Sequence, residues 1–188
     1  MLTLSDHRVK QAQWCPSPNH NDRPDPDDIS LLVIHNISLP PGQFGGPYIE
    51  DLFSNRLDPQ RDPYFREIHQ LTVSSHFLIR RDGLLMQFVD CDKRAWHAGV
   101  SAFEGRENCN DYAIGIELEG TDQLPFECAQ YRTLVALTAL LQRHYPAITN
   151  DRITGHEHIA PGRKTDPGPA FQWGSYFQSL AAFKENLA

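Results

Sequence analysis

The segment from Ser30 to Asn36 constrains the fold more than any other part of the sequence. Its apolar run, Leu-Leu-Val-Ile, is continuous and ends abruptly at the polar residues His35 and Asn36. The run is too short to form a helix by itself, and an apolar run without polar alternation is typical of a strand buried on both faces. Stretches rich in proline or glycine lie on both sides of it, at 11–30 and at 40–47. We therefore expect a buried central strand that ends at polar side chains.

Local patterns predict the other elements. An Asp82-Gly83 turn separates two β-prone runs, 76–80 and 84–89, which favours a hairpin. The segment 113–119 alternates with period two, which predicts a third strand with apolar residues on one face and Glu117 and Glu119 on the other. Helices are predicted over 48–53, 127–144 and about 173–184, an extended arm over 11–30, and a long surface loop over 54–70. Strands and helices mix without a strict βαβ repeat, so we expect a mixed α/β fold, a single domain over 1–188 with a central sheet of four to six strands flanked by helices.

Composition excludes several classes of protein. The chain has 188 residues, of which 17 are Lys or Arg and 24 are Asp or Glu, so the net charge of −7 argues against nucleic acid as a partner. No apolar run reaches the roughly 18 residues of a membrane span. The N-terminal residues show no signal-peptide pattern, which predicts a cytoplasmic location. The four cysteines have no C-x-x-C spacing and are expected to be reduced thiols. Nothing in the sequence indicates an obligate protein partner.

The segment 155–169 concentrates residue types that bind metals. It contains His156, His158, Lys164 and Asp166 among glycines and prolines, which predicts a loop without regular structure. Together with His35 at the end of the buried strand, two imidazoles and one carboxylate would leave the fourth tetrahedral position of a zinc ion open, the pattern of a catalytic site. The spacing does not distinguish His156 from His158. A polar surface loop that binds nothing is the alternative interpretation.

Two further residues could supply acid–base and electrostatic catalysis. Glu117 lies in a strand that should neighbour the strand of His35, so its carboxylate could take a proton from a water near the metal. Glu119 is equally eligible by periodicity. Lys164 could stabilise a developing oxyanion, or it could be an ordinary solvated lysine. His76 is predicted to have a structural role or to support a metal ligand, and not to bind the metal itself.

Five blocks of the sequence carry a resemblance to a known family, and they are 35–42, 75–83, 94–99, 110–120 and 155–169. Over residues 14–177 the chain resembles the zinc-dependent N-acetylmuramoyl-L-alanine amidases, which include phage lysozyme-type amidases and peptidoglycan recognition proteins. The resemblance implies their fold and one zinc ion held by His35, His156 and Asp166. It also implies that Glu117 is the general base and that Lys164 stabilises the oxyanion.

Within that family, the resemblance is to the branch that acts on 1,6-anhydromuropeptides during cytoplasmic muropeptide recycling. It implies hydrolysis of the amide between the lactyl group of 1,6-anhydro-N-acetylmuramic acid and L-alanine of the stem peptide, with the anhydro-muropeptide as partner. On motif membership, Asn36, Trp96 and Asn110 are expected to line the cleft. Arg106 and Arg163 are candidates for pairing with the acidic stem peptide, or they are surface cations.

Three other functions compete with this one. A general amidase would act on intact peptidoglycan outside the cytoplasm and would need an export signal. A non-catalytic muropeptide-binding module would be expected to lack a metal ligand. A cysteine hydrolase would use Cys109 or Cys91 with His97, but neither cysteine has a recognisable nucleophile setting.

Overall fold

The computed structural model describes residues 1–186, which form twelve β-strands, five α-helices and two short 3-10 helices. In chain order the strands are β1 (Leu4–Ser5), β2 (Arg8–Val9), β3 (Gln13–Trp14), β4 (His20–Asp22), β5 (Leu31–Ile37), β6 (Phe77–Ile79), β7 (Leu85–Gln87), β8 (Lys93–Ala95), β9 (Ala102–Phe103), β10 (Arg106–Glu107), β11 (Ala113–Glu119) and β12 (Ile153–Gly155). The helices are α1 (Tyr48–Phe53), α2 (Phe65–Ile68), α3 (Cys128–His144), α4 (His156–Ile159) and α5 (Trp173–Glu185).

The central sheet has six strands in the order β12-β5-β11-β6-β7-β3. Strands β5 and β11 pair in parallel over their whole length, from Leu31 opposite Ala113 to Ile37 opposite Glu119. Strands β12 and β6 continue the parallel part, whereas β7 is antiparallel to β6. The predicted mixed α/β fold with a buried central strand is therefore confirmed.

Helices α3 and α5 cover one face of the sheet. The apolar side of β11, with Ile114, Ile116 and Leu118, belongs to one buried cluster with side chains of both helices. Helix α3 begins with a capping box, in which the side chains of Glu127 and Gln130 satisfy the first backbone N–H groups. The two helices thus cover the sheet on this face.

The opposite face is covered less completely, by two smaller clusters. One cluster packs helix α1 and Phe65 against Leu78 of β6, and the other packs Tyr112 and Ile159 against Val33 of β5. All seven residues of β11 are buried, including Glu117 and Glu119 on this second face. Both carboxylates are thus held inside the protein, where an unpaired charge is costly.

Most predicted elements are confirmed, and the exceptions lie in the three segments expected to be irregular. The hairpin and the helices at 48–53, 127–144 and 173–184 are present to within about two residues. The arm over 11–30 contributes β3 and β4, and the loop over 54–70 contains α2.

The prediction that 155–169 forms no regular element is wrong for its first residues. His156–Ile159 form one turn of helix, closed by the N–H of Ala160, which donates to the carbonyl of His156 at 3.0 Å. The helix-breaking residues begin only at Pro161, so they do not prevent this turn. Among the described residues, every helix is too short or too polar to cross a bilayer.

Candidate metal centre

The parallel sheet brings the candidate site residues together. His35 of β5 lies directly opposite Glu117 of β11, so both side chains project from the same face. Strand β12 pairs with the other edge of β5, and His156 follows it as the first residue of α4. The loop after α4 then brings Asp166 back beside His156. The N–H of Glu157 donates to the carbonyl of Asp166 at 2.8 Å and holds the loop in this position. Residues 35, 117, 156 and 166 are thus brought together near the carboxyl ends of β5, β11 and β12, with Asp166 supplied by the loop after α4.

Three donor atoms form a compact triangle. The Nδ1 atoms of His35 and His156 lie 3.0 Å apart, and Oδ2 of Asp166 lies 3.0 Å from the first and 3.1 Å from the second. Both imidazoles are buried, and Asp166 is half-buried. His158, two residues from His156, is exposed and directed toward Glu157. The geometry therefore selects His156 over His158 as the second imidazole.

A hydrogen bond fixes the tautomer of His156. Its Nε2 lies 3.0 Å from the carbonyl oxygen of Ala98, which can only accept, so Nε2 carries the proton. In a neutral imidazole the other nitrogen then has a lone pair, and this Nδ1 points at the triangle. Because the Asp166 carboxylate also only accepts, the three atoms hold more lone pairs than protons. Such a cluster is satisfied by a cation.

The charge and spacing of the triangle suit zinc. Burial lowers the pKa of His35 to about 4, so its imidazole is neutral at neutral pH. Burial favours the protonated form of Asp166, but the adjoining imidazoles of His156 and His35 lower its pKa below the usual range. Zinc–nitrogen and zinc–oxygen bonds of about 2.0–2.2 Å imply ligand–ligand distances of roughly 3.3 Å in a tetrahedron, close to those observed. The residues present therefore fit a zinc ion.

Glu117 and Glu119 have different environments, although they share a face of β11. Oε2 of Glu117 is buried and has no hydrogen-bond partner among the described residues. Burial raises the pKa of this carboxyl well above its usual range, Asp166 adds to the rise, and Lys164 opposes it. Glu119 instead accepts from Arg80 and from the N–H of Gly45, both at 2.7 Å. Glu117 is thus free to exchange a proton, whereas Glu119 is part of a structural ion pair.

A cleft of about 690 Å³ opens over the triangle. Its floor contains His35, Glu117 and Asp166, and Lys164 lies exposed at its edge. Its largely apolar wall is formed by side chains from 52–73 and 96, among them Leu52, Phe53, Tyr64, Ile68, Leu71, Val73 and Trp96. The volume suits a ligand of several hundred daltons with both apolar and polar parts.

Two of the predicted cleft residues lie in its lining. Asn36 lines it, and its amide donates to Asp122 at 2.7 Å and to the carbonyl of Pro167 at 3.1 Å. These bonds tie the loop that carries Asp166 to strand β5. Trp96 also lines the cleft, with its indole N–H donating to Asn21 at 2.6 Å.

The other three predicted substrate contacts, Asn110, Arg106 and Arg163, lie outside the lining of the cleft, so contact with substrate stays a prediction for them. The side chain of Asn110 is buried and accepts from the N–H of Ala98 at 2.8 Å. Arg106 pairs with Asp28 and stacks on Tyr112, and Arg163 donates to the carbonyls of Ala98 and Val100. Each side chain braces the backbone or pairs with a neighbour at the periphery. Their roles depend on long-range contacts that motif membership does not show.

The cysteine alternative has no support in the geometry. Cys91 and Cys109 are buried, and neither lines the cleft. Burial raises the pKa of Cys91 to about 12, which leaves almost no thiolate at neutral pH. The sulfur of Cys109 lies 3.3 Å from the hydroxyl of Tyr112. The histidine assigned to that alternative, His97, instead lies beside His35, with 2.9 Å between its Nδ1 and Nε2 of His35.

Comparisons with known proteins identify the family to which the sequence is similar. The sequence profile of a family described as N-acetylmuramoyl-L-alanine amidase matches residues 25–169. The 1,6-anhydro-N-acetylmuramyl-L-alanine amidase AmpD of Citrobacter freundii is 56% identical over 93% of each chain, and that of Escherichia coli K12 is 58% identical over 88% of this chain and 90% of its own.

Solved structures give the same result. A crystal structure of a selenomethionine AmpD derivative superposes with a TM-score of 0.91 at 56% identity, covering 95% of this chain and 98% of that one. The Escherichia coli amidase AmiD, in complex with its substrate anhydro-N-acetylmuramic acid-L-Ala-D-γ-Glu-L-Lys, superposes with a TM-score of 0.59 at 28% identity, covering 94% of this chain and 65% of that one.

Proposed function

The chain belongs to the N-acetylmuramoyl-L-alanine amidase family, and from that premise we propose that it hydrolyses the amide between the lactyl group of 1,6-anhydro-N-acetylmuramic acid and L-alanine of the stem peptide. Relatives named for this activity match nearly the whole chain, which supports anhydro-muropeptide as the substrate and muropeptide recycling as the role. The cytoplasmic location stays a prediction.

One observation carries the chemical part of the proposal. Three lone-pair donors, on His35, His156 and Asp166, converge beside the buried carboxyl of Glu117, whose Oε2 has no hydrogen-bond partner among the described residues. We assign the three donors as the ligands of one zinc ion. When bound, zinc supplies Lewis acidity, which polarises an amide carbonyl and acidifies a water molecule.

Glu117 moves the proton in this scheme. Its carboxylate takes a proton from the attacking water as the new C–O bond forms, and burial makes the carboxylate a stronger base than an exposed one. When the C–N bond breaks, the same group returns the proton to the leaving nitrogen of L-alanine. Water is consumed, and the products are a lactyl carboxylate and a free stem peptide.

Lys164 stabilises charge in the transition state. Its side chain lines the cleft on the segment that carries Asp166, and its positive charge opposes the rise in the pKa of Glu117. A positive charge aimed at the carbonyl oxygen is worth more when that oxygen becomes an anion than in the ground state. We therefore assign the lysine to the oxyanion and not to ground-state binding.

Replacement of Lys164 tests this role. We expect Lys164→Met to lower the turnover number by about 10–100-fold, less than the ~10²–10³-fold for an enclosed oxyanion donor, because this lysine is exposed and screened by solvent. Steady-state kinetics on an anhydro-muropeptide would show the loss mainly in kcat. Lys10→Met, an exposed lysine remote in sequence, is the matched control. A loss confined to KM would contradict the oxyanion role.

The choice of substrate is tested by competition between two substrates. Equal amounts of amide bonds in an anhydro-muropeptide and in polymeric peptidoglycan are offered to the enzyme, and release of peptides with a free L-alanine amino group is measured for each. We expect the anhydro-muropeptide to be hydrolysed preferentially. Preferential cutting of the polymer would favour a general cell-wall amidase. Binding of either substrate without cleavage by zinc-loaded protein would favour a non-catalytic module.

A further inference from the structure

The imidazole of His97 occupies space that an ordinary side chain on strand β11 would fill. A Cβ atom at Gly115 would lie 2.6–2.8 Å from three atoms of the His97 ring. Real Cβ atoms do not approach so closely, so the ring can lie on the sheet at this point only because residue 115 is glycine. Gly115 is two residues before Glu117 on the same face of the strand.

From this place, His97 reaches the first candidate ligand. Its Nδ1 lies 2.9 Å from Nε2 of His35, and the rings meet edge to face with centroids 5.0 Å apart. A neutral imidazole has one N–H and one lone pair. If Nδ1 of His35 is to offer its lone pair to a metal, Nε2 must carry the proton, and His97 Nδ1 is the acceptor for that proton.

Other contacts hold the His97 ring in place. Behind it lies His76, with ring centroids 5.8 Å apart, and Nδ1 of His76 accepts from the N–H of Gly115 at 3.0 Å. The backbone N–H groups of His97 and Ala98 both donate to Oδ1 of Asn110, at 3.2 and 2.8 Å. The position of the His97 ring is therefore fixed by its contact with Gly115, by the neighbouring ring of His76 and by the hydrogen bonds of its own backbone.

The second nitrogen of His97 argues against a purely structural role. Its Nε2 is buried and has no hydrogen-bond partner among the described residues. A buried unpaired polar atom destabilises a folded protein, and a phenyl ring of similar size would avoid that cost. Stability alone therefore does not explain a histidine here, whereas the contact of Nδ1 with His35 does.

We propose that Gly115 and His97 are positioning residues for the metal centre: Gly115 admits the His97 ring, and His97 fixes the tautomer and orientation of His35. The proposal rests on the proposed function in one respect, namely that the triangle binds zinc. It concerns affinity for the metal and not a contact with substrate.

Zinc affinity of His97 variants tests the proposal. Chelator competition on purified protein should show that His97→Phe binds Zn²⁺ about 10–100-fold more weakly than the wild type. This is the usual range for loss of a group that hydrogen-bonds to a metal ligand. The melting temperature of metal-free His97→Phe should stay close to that of the wild type, since the unpaired Nε2 of His97 is gone while Nε2 of His35 loses its partner. His97→Asn should recover much of the affinity, because Oδ1 replaces Nδ1 as acceptor. His158→Phe is the control and should bind as the wild type does.

The Gly115→Ala variant tests the other half. It should weaken zinc binding to a similar degree, because the new methyl group displaces the ring. Gly174→Ala is its control, since a Cβ there meets nothing within 4 Å. In the double variant Gly115→Ala/His97→Phe the losses should not add, because both changes remove one contact. Wild-type zinc affinity in His97→Phe, or fully additive losses, would overturn the proposal.

A measurement on the unaltered protein covers the case in which a variant fails to fold. In zinc-loaded wild-type protein with ¹⁵N-labelled histidine, NMR should show Nε2 of His35 protonated and Nδ1 of His97 without a proton. A proton on Nδ1 of His97 would overturn the positioning role even if zinc is bound. Failure of the wild type to bind zinc at all would instead overturn the metal site itself, so the two failures are distinguishable.

Discussion

Replacing Glu117 with glutamine is expected to lower the turnover number of amide hydrolysis by about 10²–10⁴-fold, the usual contribution of a general base. Glutamine has nearly the same shape as glutamate, but it cannot accept the proton of the attacking water. The buried Oε2 of Glu117 has no hydrogen-bond partner among the described residues, so the substitution breaks no hydrogen bond at that atom. Zinc content and melting temperature should therefore stay close to those of the wild type. Single-turnover kinetics with metal analysis of the same sample measures both quantities.

Glu119 provides a contrast on the same strand. It is paired with the buried guanidinium of Arg80 at 2.7 Å, and its other oxygen lies 3.2 Å from the N–H of Arg81. Glu119→Gln should reduce the free energy of unfolding, by about 3 kcal/mol, because it leaves a buried cation less well compensated. One glutamate thus affects the rate and the other affects stability. An unchanged rate of hydrolysis in Glu117→Gln would contradict the assignment of Glu117 as the general base.

Removal of a metal ligand should have the second large effect. We expect His156→Ala to lose stoichiometric zinc and to lower the rate of hydrolysis at least about 10³-fold, since Lewis acidity contributes several kcal/mol and each ~1.4 kcal/mol is tenfold. Two lone-pair donors would remain, on His35 and Asp166. Metal analysis after dialysis and a hydrolysis assay would follow the two losses together.

His158 is the matched control for this experiment. It lies two residues away in the same turn of helix, but its side chain is exposed and outside the triangle. His158→Ala should keep both zinc and activity. If the two variants lose zinc equally, or if His156→Ala keeps it, the assignment of His156 as a ligand is incorrect.

Much of the fold follows from local sequence patterns. The apolar run at 31–34, the alternation at 113–119 and the Asp82-Gly83 turn each specify an element through short-range physics, and all three are confirmed. The expectation that the strands of His35 and Glu117 are neighbours is also confirmed, by the direct pairing of these two residues. This pairing already places a base beside a candidate ligand.

The choice between neighbouring residues could not be made locally. His156 and His158 are two positions apart in a helix, roughly 200° around its axis, so only one can face the triangle. Which one faces it depends on how α4 follows β12. Likewise, period two puts Glu117 and Glu119 on one face, and only distant partners such as Arg80 distinguish them. For the ligand set, the family resemblance supplied what spacing left open.

The role proposed for His97 could not be predicted from the sequence, because it depends on three distant segments. The histidine follows β8, the glycine beneath it lies in β11, and the ligand beside it lies in β5. No pattern within a window of the sequence links these positions. A glycine inside an otherwise apolar strand was the available signal, since it often marks a close approach of another group.

The most direct test is to measure zinc and amide hydrolysis together in one preparation of the protein. The purified chain should contain one zinc ion per molecule and cleave an anhydro-muropeptide between the lactyl group and L-alanine. Chelation should remove both the metal and the activity, and added zinc should restore both in parallel. Full hydrolysis by protein shown to be free of metal would contradict a catalytic centre built on these two imidazoles and one carboxylate.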